Sequence, residues 1–296
     1  MKDGEQPVRA YQYKMAGHAQ TCVDRYLELA EKSVESLKEV KTPCLDDHMM
    51  APEDFEGKGA LSPVCARIVL KALYLARMNR LDIMWTVNYL SRNVTTWSPA
   101  CDKRLHRLIS YIHHYRDLCQ TNWVGDRVED INVMMFVDAS FAGDLKDSKS
   151  TSGMILVLIG PRTFVTVGWT CSKQGAISHS STEAEVIALE ATLRREGLPV
   201  LMLWELVTDV MQKVKPQANM LLAANSEPGY IEDMLSKCSK LEDWCSAFKA
   251  NITSGGSIRM QTVPSMVCSV YDYLSLVDYV PCTLPLSKGL AKLLII

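Results

Sequence analysis

Two carboxylates follow short structured segments at positions where they could share a divalent cation. Asp138 ends the β-rich run "INVMMFV", and Glu185 lies in the first turns of a predicted helix that begins near Ser181. Hard Mg²⁺ accepts few protein carboxylates and keeps several waters, which leaves positions for phosphate oxygens. Two such ions can activate water and stabilise the leaving oxygen of a phosphodiester. The pair is therefore a candidate site for metal-dependent phosphodiester chemistry.

Helix capping is the simpler explanation of the second carboxylate. Acids are favoured in the first turn of a helix by the helix dipole. Ser180-x-x-Glu183 matches a capping box, and Thr182-x-x-Glu185 matches the same pattern in a shifted register. On spacing alone, capping is the favoured explanation and metal binding the alternative.

The elements that would position these residues fall into a helical half and a mixed half. Apolar spacing predicts a helix over 19–40 and helices in "SPVCARIVLKALYLARM", "LDIMWTVNYLSRNV" and "SPACDKRLHRLISYIHHYRD". After Asn122, the β-rich runs "INVMMFV", "GMILVLI" and "TFVTVGWT" precede helices over 181–196 and in "LPVLMLWELVTDVMQ". The pattern is lost over 214–270, which we interpret as an irregular insertion.

Composition narrows the class of protein only a little. The 296 residues suit one large or two medium domains, and 48% hydrophobic with 22% charged residues is typical of a globular chain. The net charge of −2 gives no bulk sign of nucleic-acid binding, although a local basic patch is compatible with it. Ten scattered cysteines without a CxxC pair, a beginning without an apolar core and short apolar runs predict a cytoplasmic or nuclear protein, not secreted and without membrane contact.

The text around the two acids resembles a known family. "FVDASFAGDLKDSKSTSG" and "CSKQGAISHSSTEAEVIAL" are similar to the ribonuclease H domain of copia-type retrotransposon Pol polyproteins. Upstream, "LSPVCARIVLKALYLARMNRLDIMWTVNYLSR" and "ACDKRLHRLISYIHH" resemble the thumb and connecting part that follow the palm of the family's reverse transcriptase. The resemblance covers roughly residues 15–213 and departs from the family mildly, for example at Ser140 and Val186.

The resemblance implies a role for each acid. Asp138 and Glu185 fall on the family's first catalytic aspartate and its catalytic glutamate, which bind Mg²⁺ (or Mn²⁺). Asp144 and Asp147 fall in the family's loop rather than in its metal site. The implied partner is an RNA–DNA hybrid or another nucleic-acid duplex, and the remainder of the polyprotein could be needed. The same loop places Lys149 and Ser150 among the implied nucleic-acid-binding residues.

One predicted helix is unusually basic. It carries Lys103, Arg104, Arg107 and Arg116 against only Asp102 and Asp117. Charge alone favours an ordinary solvated face. In a thumb, such a helix would contact the phosphates of a duplex without reading its sequence. Both interpretations stay open, and the second makes these four residues candidate nucleic-acid ligands.

Two carboxylates that the family requires are missing from their expected places. The third belongs to a D-N pair that follows a later strand, and the fourth to a helix further downstream. Ala224-Asn225 has alanine in place of the acid, so we interpret "KGLAKLLII" as the strand that leads to the missing pair. Asp46 and Asp47 in "CLDDH" lack the aromatic hairpin of a polymerase site and predict only a solvated loop.

We therefore predict an α/β (α+β) protein with a ribonuclease H-like mixed sheet and packed helices, preceded by a mostly helical segment. The predicted regions are an N-terminal helix and loop over 1–57, a thumb-like helical region over 58–124, and a ribonuclease H-like domain over 125–296 with the insertion 214–270 and a truncated end. The predicted activity is metal-dependent cleavage of RNA in RNA–DNA hybrids. The alternative is a catalytically inactive, transposon-derived nucleic-acid-binding or structural relic.

Overall fold

The chain forms two compact units, one helical and one built on a sheet. The structure is a computed structural model and describes residues 8–144, 147–212, 219–224 and 257–262. The helical unit comprises Gln12–Thr121, and the sheet unit comprises Met1–Tyr11 together with Asn122–Ile296. The division at 121–122 lies close to the predicted boundary at 124–125. The predicted boundary at 57–58 falls inside the helical unit.

Four helices build the helical unit. They are α1 (Ala16–Ala30), α2 (Cys65–Met78), α3 (Met84–Arg92) and α4 (Pro99–His114). Helix α4 begins after Ser98 with Pro99 in its first turn, where the missing amide proton of proline costs nothing. Helix α1 is shorter than the predicted 19–40, because Glu31 takes a left-handed conformation with φ 52° and ends it.

One apolar core explains why residues on both sides of position 57 belong together. Tyr26 of α1, Ile68 and Leu75 of α2, and Leu105 and Ile109 of α4 are fully buried in a single cluster. Each such side chain contributes about 1.5–3 kcal/mol through removal from water. Helix α1 therefore folds against α2 and α4 rather than as a separate N-terminal region.

In the described part of the chain, seven strands form one mixed sheet. They are β1 (Arg9–Tyr13), β2 (Gln120–Val124), β3 (Asn132–Ser140), β4 (Thr151–Gly160), β5 (Thr163–Lys173), β6 (Asn219–Ala224) and β7 (Ser257–Thr262). Their order is β1-β2-β5-β4-β3-β6-β7. Strands β3, β4 and β5 are antiparallel neighbours, whereas β6 is parallel to β3 and β7 is parallel to β6.

A tight turn at Pro161-Arg162 joins β4 to β5. The Arg162 amide donates to Asp126 Oδ2 at 2.6 Å, which brings that carboxylate against Gly160. A Cβ on Gly160 would lie 2.6 Å from the same oxygen. Glycine is therefore required here by close approach rather than by its φ angle.

Two helices follow β5 and cover one face of the sheet. Helix α5 (Ser181–Thr192) continues through a π-helical turn (Leu193–Gly197) into α6 (Leu198–Gln212). Ala188 and Leu189 of α5 pack against Val133, Met135 and Val137 of β3, because alternate residues of a strand point to one face. The predicted α/β class, a mixed sheet with packed helices after a mostly helical segment, is confirmed.

The sequence-based interpretation of 214–270 as irregular is wrong in two places. Strands β6 and β7 lie inside that range and extend the sheet beyond β3. Their runs, "NMLLAA" and "SIRMQT", have six residues each, and neither alternates strictly between apolar and polar side chains along its whole length, which would mark it as a strand. The pairing partner, which sequence does not show, is what makes them strands.

Candidate functional site

The first carboxylate lies at the carboxyl end of β3. Asp138 is half-buried and pairs across the ladder with Gly153 of β4. On the other side of β3, Val137 pairs with Ala224, the last residue of β6. Because β3 and β6 are parallel, their carboxyl ends meet at the same edge of the sheet. Ligand sites of open α/β sheets lie outside such strand ends.

The second carboxylate comes from α5 and is not a helix cap. Ser180 Oγ accepts the Glu183 amide at 3.1 Å, and Glu183 Oε2 accepts the His179 amide at 2.7 Å, so Ser180 and Glu183 form the capping box. Glu185 lies two residues further along α5 and is only 8% exposed. Its Oε1 accepts the amide of Ala139 at 3.3 Å. The register therefore excludes Thr182-x-x-Glu185 as the cap and brings Glu185 to the end of β3.

Burial and the neighbouring Asp138 raise the pKa of Glu185 to about 8. The shift follows because burial penalises the charged form and a second carboxylate repels it. At neutral pH Glu185 therefore holds a proton, which it can share with the Asp138 carboxyl. The two groups interact directly, as a shared metal site requires.

The pair has the donor chemistry of a divalent-cation site. Glu185 Oε2 is buried without a hydrogen-bond partner among the described residues, and a buried carboxylate oxygen is costly unless it is paired. A hard cation with oxygen ligands would take the place of the shared proton. In the described part of the chain, no group of three or more His, Cys, Asp or Glu side chains could hold a metal ion. Asp138 and Glu185 therefore fit a cation as two ligands of an incomplete site.

The strand beside β3 carries alanine, not an acid, at its last described position. This strand is β6, and Ala224 is the last of its residues that pairs with β3. The register of β6 puts Ala224 beside Val137, one residue before Asp138, and Asn225 lies outside the described residues. The rival segment "KGLAKLLII" lies outside the described residues.

The loop after β3 is held by a lysine from β5. Lys173 Nζ lies 2.5 Å from Asp144 Oδ2 and 2.6 Å from Asp147 Oδ1. Lysine also holds the pKa of Asp147 below its usual value, chiefly through this hydrogen bond. Both acids are thus compensated locally, in keeping with their assignment to the loop rather than to a metal site.

Ser150 and Lys149, predicted nucleic-acid ligands, lie in the same loop. Ser150 is fully buried, its Oγ accepts the Ala142 amide at 3.1 Å, and its carbonyl accepts the Gln174 amide at 2.8 Å. Its contacts assign it to the structure of the loop. Lys149 is half-buried, and its role in binding stays a prediction.

The predicted basic helix is neither a plain solvated face nor a row of free cations. Arg104 is 1% exposed, forms an ion pair with Asp47 and lies 4.3 Å from the centroid of the Tyr89 ring. The prediction that Arg104 binds phosphate is therefore wrong, because a duplex cannot reach this buried side chain. The interpretation of Asp47 as part of a solvated loop is also wrong, because Asp47 is the ion-pair partner of Arg104.

The other α4 cations are engaged to different degrees. Lys103 Nζ lies 2.5 Å from Asp54 Oδ2, and Arg107 donates to the carbonyl and hydroxyl of Thr42 at 2.9 and 2.8 Å. These contacts attach the 41–57 loop to α4. Arg116, just beyond α4, donates to Gln20 Oε1 at 3.1 Å and is half-exposed. Nucleic-acid binding by Lys103, Arg107 and Arg116 stays a prediction.

Comparison with known proteins gives one family assignment. No family model matches this chain. A segment of 132 residues is 32% identical to the secreted RxLR effector protein 161 of Plasmopara viticola, and it covers 43% of this chain and 86% of that protein. This chain belongs to the family of that protein.

Membership of the RxLR effector protein 161 family overturns one prediction. The expectation of a cytoplasmic or nuclear, non-secreted protein is contradicted, because the relative is a secreted protein. That expectation rested on unpaired cysteines and on a beginning without an apolar core, and neither property determines the compartment of a mature chain. Among the described residues, no helix is both long and apolar enough to cross a membrane.

One residue that positions the site in this family member was missed in the sequence. Gln174 is buried, and its Nε2 donates to Ser152 Oγ at 3.0 Å and to the Ala184 carbonyl at 2.8 Å. Its Oε1 accepts the Ser178 hydroxyl at 2.9 Å. The amide thus ties the start of α5, next to Glu185, to β4. Its place in the quoted motif "SKQ" was the available signal.

Proposed function

We propose that this chain is the ribonuclease H-like part of a copia-type retrotransposon polyprotein, and that it binds RNA–DNA hybrids while cleaving them poorly. The observation that carries the proposal is the meeting of Asp138 and Glu185 at the end of β3, beside a parallel strand that ends in Ala224. The strand order β5-β4-β3-β6-β7 and the motif text around both acids support it.

Asp138 and Glu185 are the residues that would hold Mg²⁺ or Mn²⁺. Bound there, the cation would supply Lewis-acid activation of water near a phosphodiester. The Ala139 amide fixes one oxygen of Glu185, and Gln174 fixes the start of its helix. The protein therefore contributes a preorganised carboxylate pair, which would release its shared proton on binding a cation.

Poor cleavage follows from the number of ligands. Mg²⁺ demands near-ideal octahedral geometry and dehydrates reluctantly, so two carboxylates hold it weakly. Stabilisation of the leaving oxygen in a two-metal site needs a second ion, for which a third carboxylate is required. Alanine at position 224 cannot provide it. We expect hybrid binding to persist and hydrolysis to be slow or lacking.

Hybrid cleavage by four proteins tests the proposal. The full chain, Asp138→Asn, Glu185→Gln and Ala224→Asp are incubated with a labelled RNA–DNA hybrid in Mn²⁺ or Mg²⁺. We expect little cleavage by the parent, none by the first two variants, and a gain for Ala224→Asp that Asp138→Asn abolishes in the double variant. Robust cleavage by the parent would contradict the proposed loss of the third ligand.

A second candidate function follows from the family. The relative is a secreted effector, and this chain could act in that role instead, with the sheet unit as scaffold. Under this alternative, the protein binds an RNA–DNA hybrid no better than a DNA duplex of equal length, and Mn²⁺ leaves its melting temperature unchanged. Both outcomes together would favour the effector role.

A further inference from the structure

Helix α2 carries an exposed face that the contacts of the helical unit leave without acidic partners. Arg67, Leu70, Tyr74, Arg77 and Met78 are exposed along it, and Lys71 is half-buried among them. Their spacing of three or four residues puts these six side chains, the α2 face, on one side of the helix. The opposite side, including Ile68 and Leu75, lies in the core.

The cations of the α2 face are uncompensated. Arg67, Lys71 and Arg77 form no ion pair with any described carboxylate, in contrast to Lys103 and Arg104 of α4. The sequence contains no Asp or Glu between Glu56 and Asp82. A chain of net charge −2 thus concentrates positive charge on one short helix. Such a local field attracts a polyanion rather than a neutral partner.

The spacing of the cations suits a phosphate backbone. At about 1.5 Å of rise per residue, Arg67 and Lys71 are about 6 Å apart along the helix axis, and Lys71 and Arg77 about 9 Å. One nucleotide of a duplex strand advances about 3.4 Å, so these intervals correspond to roughly two and three nucleotides. Residues held on a helix inside a packed unit keep this spacing, which lowers the ordering cost of binding.

Apolar side chains lie between the cations. Leu70, Tyr74 and Met78 are 59%, 53% and 50% exposed, although large apolar residues on a helix are normally turned inward. Tyr74 is held by an edge contact with the His18 ring, whose centroid is 5.0 Å away. The wide, shallow minor groove of an A-form-like duplex exposes sugars, against which such side chains can pack.

We infer that the α2 face binds the sugar–phosphate backbone of an RNA–DNA hybrid, through Arg67, Lys71 and Arg77 with Tyr74 packed against the sugars. This inference rests on the proposed function, since it names the surface by which the hybrid is held. It assigns duplex binding to a helix other than the one that sequence analysis selected.

Salt-dependent binding tests the inference. The full chain and the variant Arg67→Gln/Lys71→Gln/Arg77→Gln are titrated into a short fluorescein-labelled RNA–DNA hybrid. Each lost phosphate contact lowers the slope of log affinity against log salt by about 0.9, so three lower it by about 2.7. The affinity ratio between parent and variant should therefore shrink about 40-fold between roughly 50 and 200 mM salt.

A matched control removes the same charge elsewhere on the helical unit. Lys32, Lys38 and Lys41 are exposed and stand near Glu31, Glu35 and Glu39. The variant Lys32→Gln/Lys38→Gln/Lys41→Gln should keep the parent's slope. In a second test, Tyr74→Ala should weaken binding at every salt concentration without a change of slope, because it removes packing and no charge.

Three outcomes decide the matter. A lower slope for the α2 variant alone supports the inference. Equal slopes for both triple variants, with tight hybrid binding by the parent, overturn the inference and leave the proposed function standing. No hybrid binding by the parent, with α2-dependent binding to phosphatidylserine vesicles, overturns both, because the α2 face would then be a membrane surface.

Discussion

The carboxylate pair of the sheet unit and the basic helix α4 of the helical unit make an instructive comparison. Both were selected from the sequence as candidate sites by residue type and spacing. The structure brings Asp138 and Glu185 together and leaves one buried oxygen without a partner. It gives Arg104 an internal ion pair and attaches Lys103 and Arg107 to a loop.

The difference teaches that internal partners, rather than residue type, decide whether a charged group is available. A carboxylate beside another carboxylate is repelled by it, and this repulsion favours the binding of a proton or a cation. The charge of the Arg104 guanidinium is compensated by Asp47 and by the Tyr89 ring, although its Nη1 has no hydrogen-bond partner among the described residues. Four predictions, from the largest expected effect to the smallest, test this comparison.

Loss of the Arg104 side-chain charge should have the largest effect. Arg104→Met leaves Asp47 unpaired in a mostly buried setting, and breaking such a pair costs about 3 kcal/mol of unfolding free energy. Urea unfolding followed by circular dichroism measures the change. Lys103→Met is the matched control: it removes a half-exposed cation, and the Asp54 carboxylate that it leaves still accepts the Ala51 amide, so the midpoint should shift less. Equal losses of unfolding free energy in the two variants would show that the buried and the half-exposed cation of α4 contribute alike.

Glu185→Gln should stabilise the protein in a pH-dependent way. The pKa of Glu185 is about 8 in the folded chain, against an ordinary value of 4.5. Between these pH values the folded state binds the extra proton, so the parent loses stability as pH rises from about 4.5 to 8, whereas glutamine does not titrate. The interval between the two pKa values corresponds to about 5 kcal/mol. Because Asp138 is only half-buried, water screens part of the repulsion, so the variant should gain on the order of 2 kcal/mol above pH 8 and almost nothing near pH 4.5.

Melting curves across this pH range provide the measurement, without added metal. Asp138→Asn should melt no lower than the parent there, because it relieves the same repulsion. Glu190→Gln, on the same helix but paired with Arg194 at 2.7 Å, is the control and should not reproduce the gain. A pH-independent difference between the parent and Glu185→Gln would mean that the pKa of Glu185 is not raised in the folded chain.

Mn²⁺ should stabilise the parent modestly and only through the pair. At a concentration about five times its dissociation constant, a ligand adds about 1 kcal/mol. Differential scanning fluorimetry should show this shift in the parent, its loss in Asp138→Asn and a larger shift in Ala224→Asp. An unchanged response in Asp138→Asn would place the ion elsewhere in the chain.

Arg107→Ala should have the smallest effect on hybrid affinity. Its guanidinium already donates two hydrogen bonds to Thr42, which hold the side chain against the 41–57 loop and leave fewer of its donors for a phosphate. We expect less than about a twofold loss of affinity, on the order of 0.4 kcal/mol, and an almost unchanged salt slope. Fluorescence anisotropy in parallel with the α2 triple variant measures it. A slope reduced by about one would return α4 to the set of duplex-binding elements.

The sequence by itself determined the local elements and the identity of the carboxylates. Alternating and helical apolar patterns fixed β3 to β5 and the helices that follow, because side-chain period is set by backbone geometry alone. Ser98-Pro99 marked the start of α4 for the same local reason. The motif around Asp138 and Glu185 named both residues before any contact was known.

Only the tertiary structure decided which residues are neighbours. Strands β6 and β7 are recognised only through the strands that pair with them. The position of Ala224 near the carboxylate pair likewise follows only from its pairing with Val137. The engagement of Arg104 by Asp47, and the absence of any described acidic partner for Arg67 and Arg77, depend on residues far apart in sequence. Charge availability is a property of three-dimensional neighbours, which the order of residues along the chain does not contain.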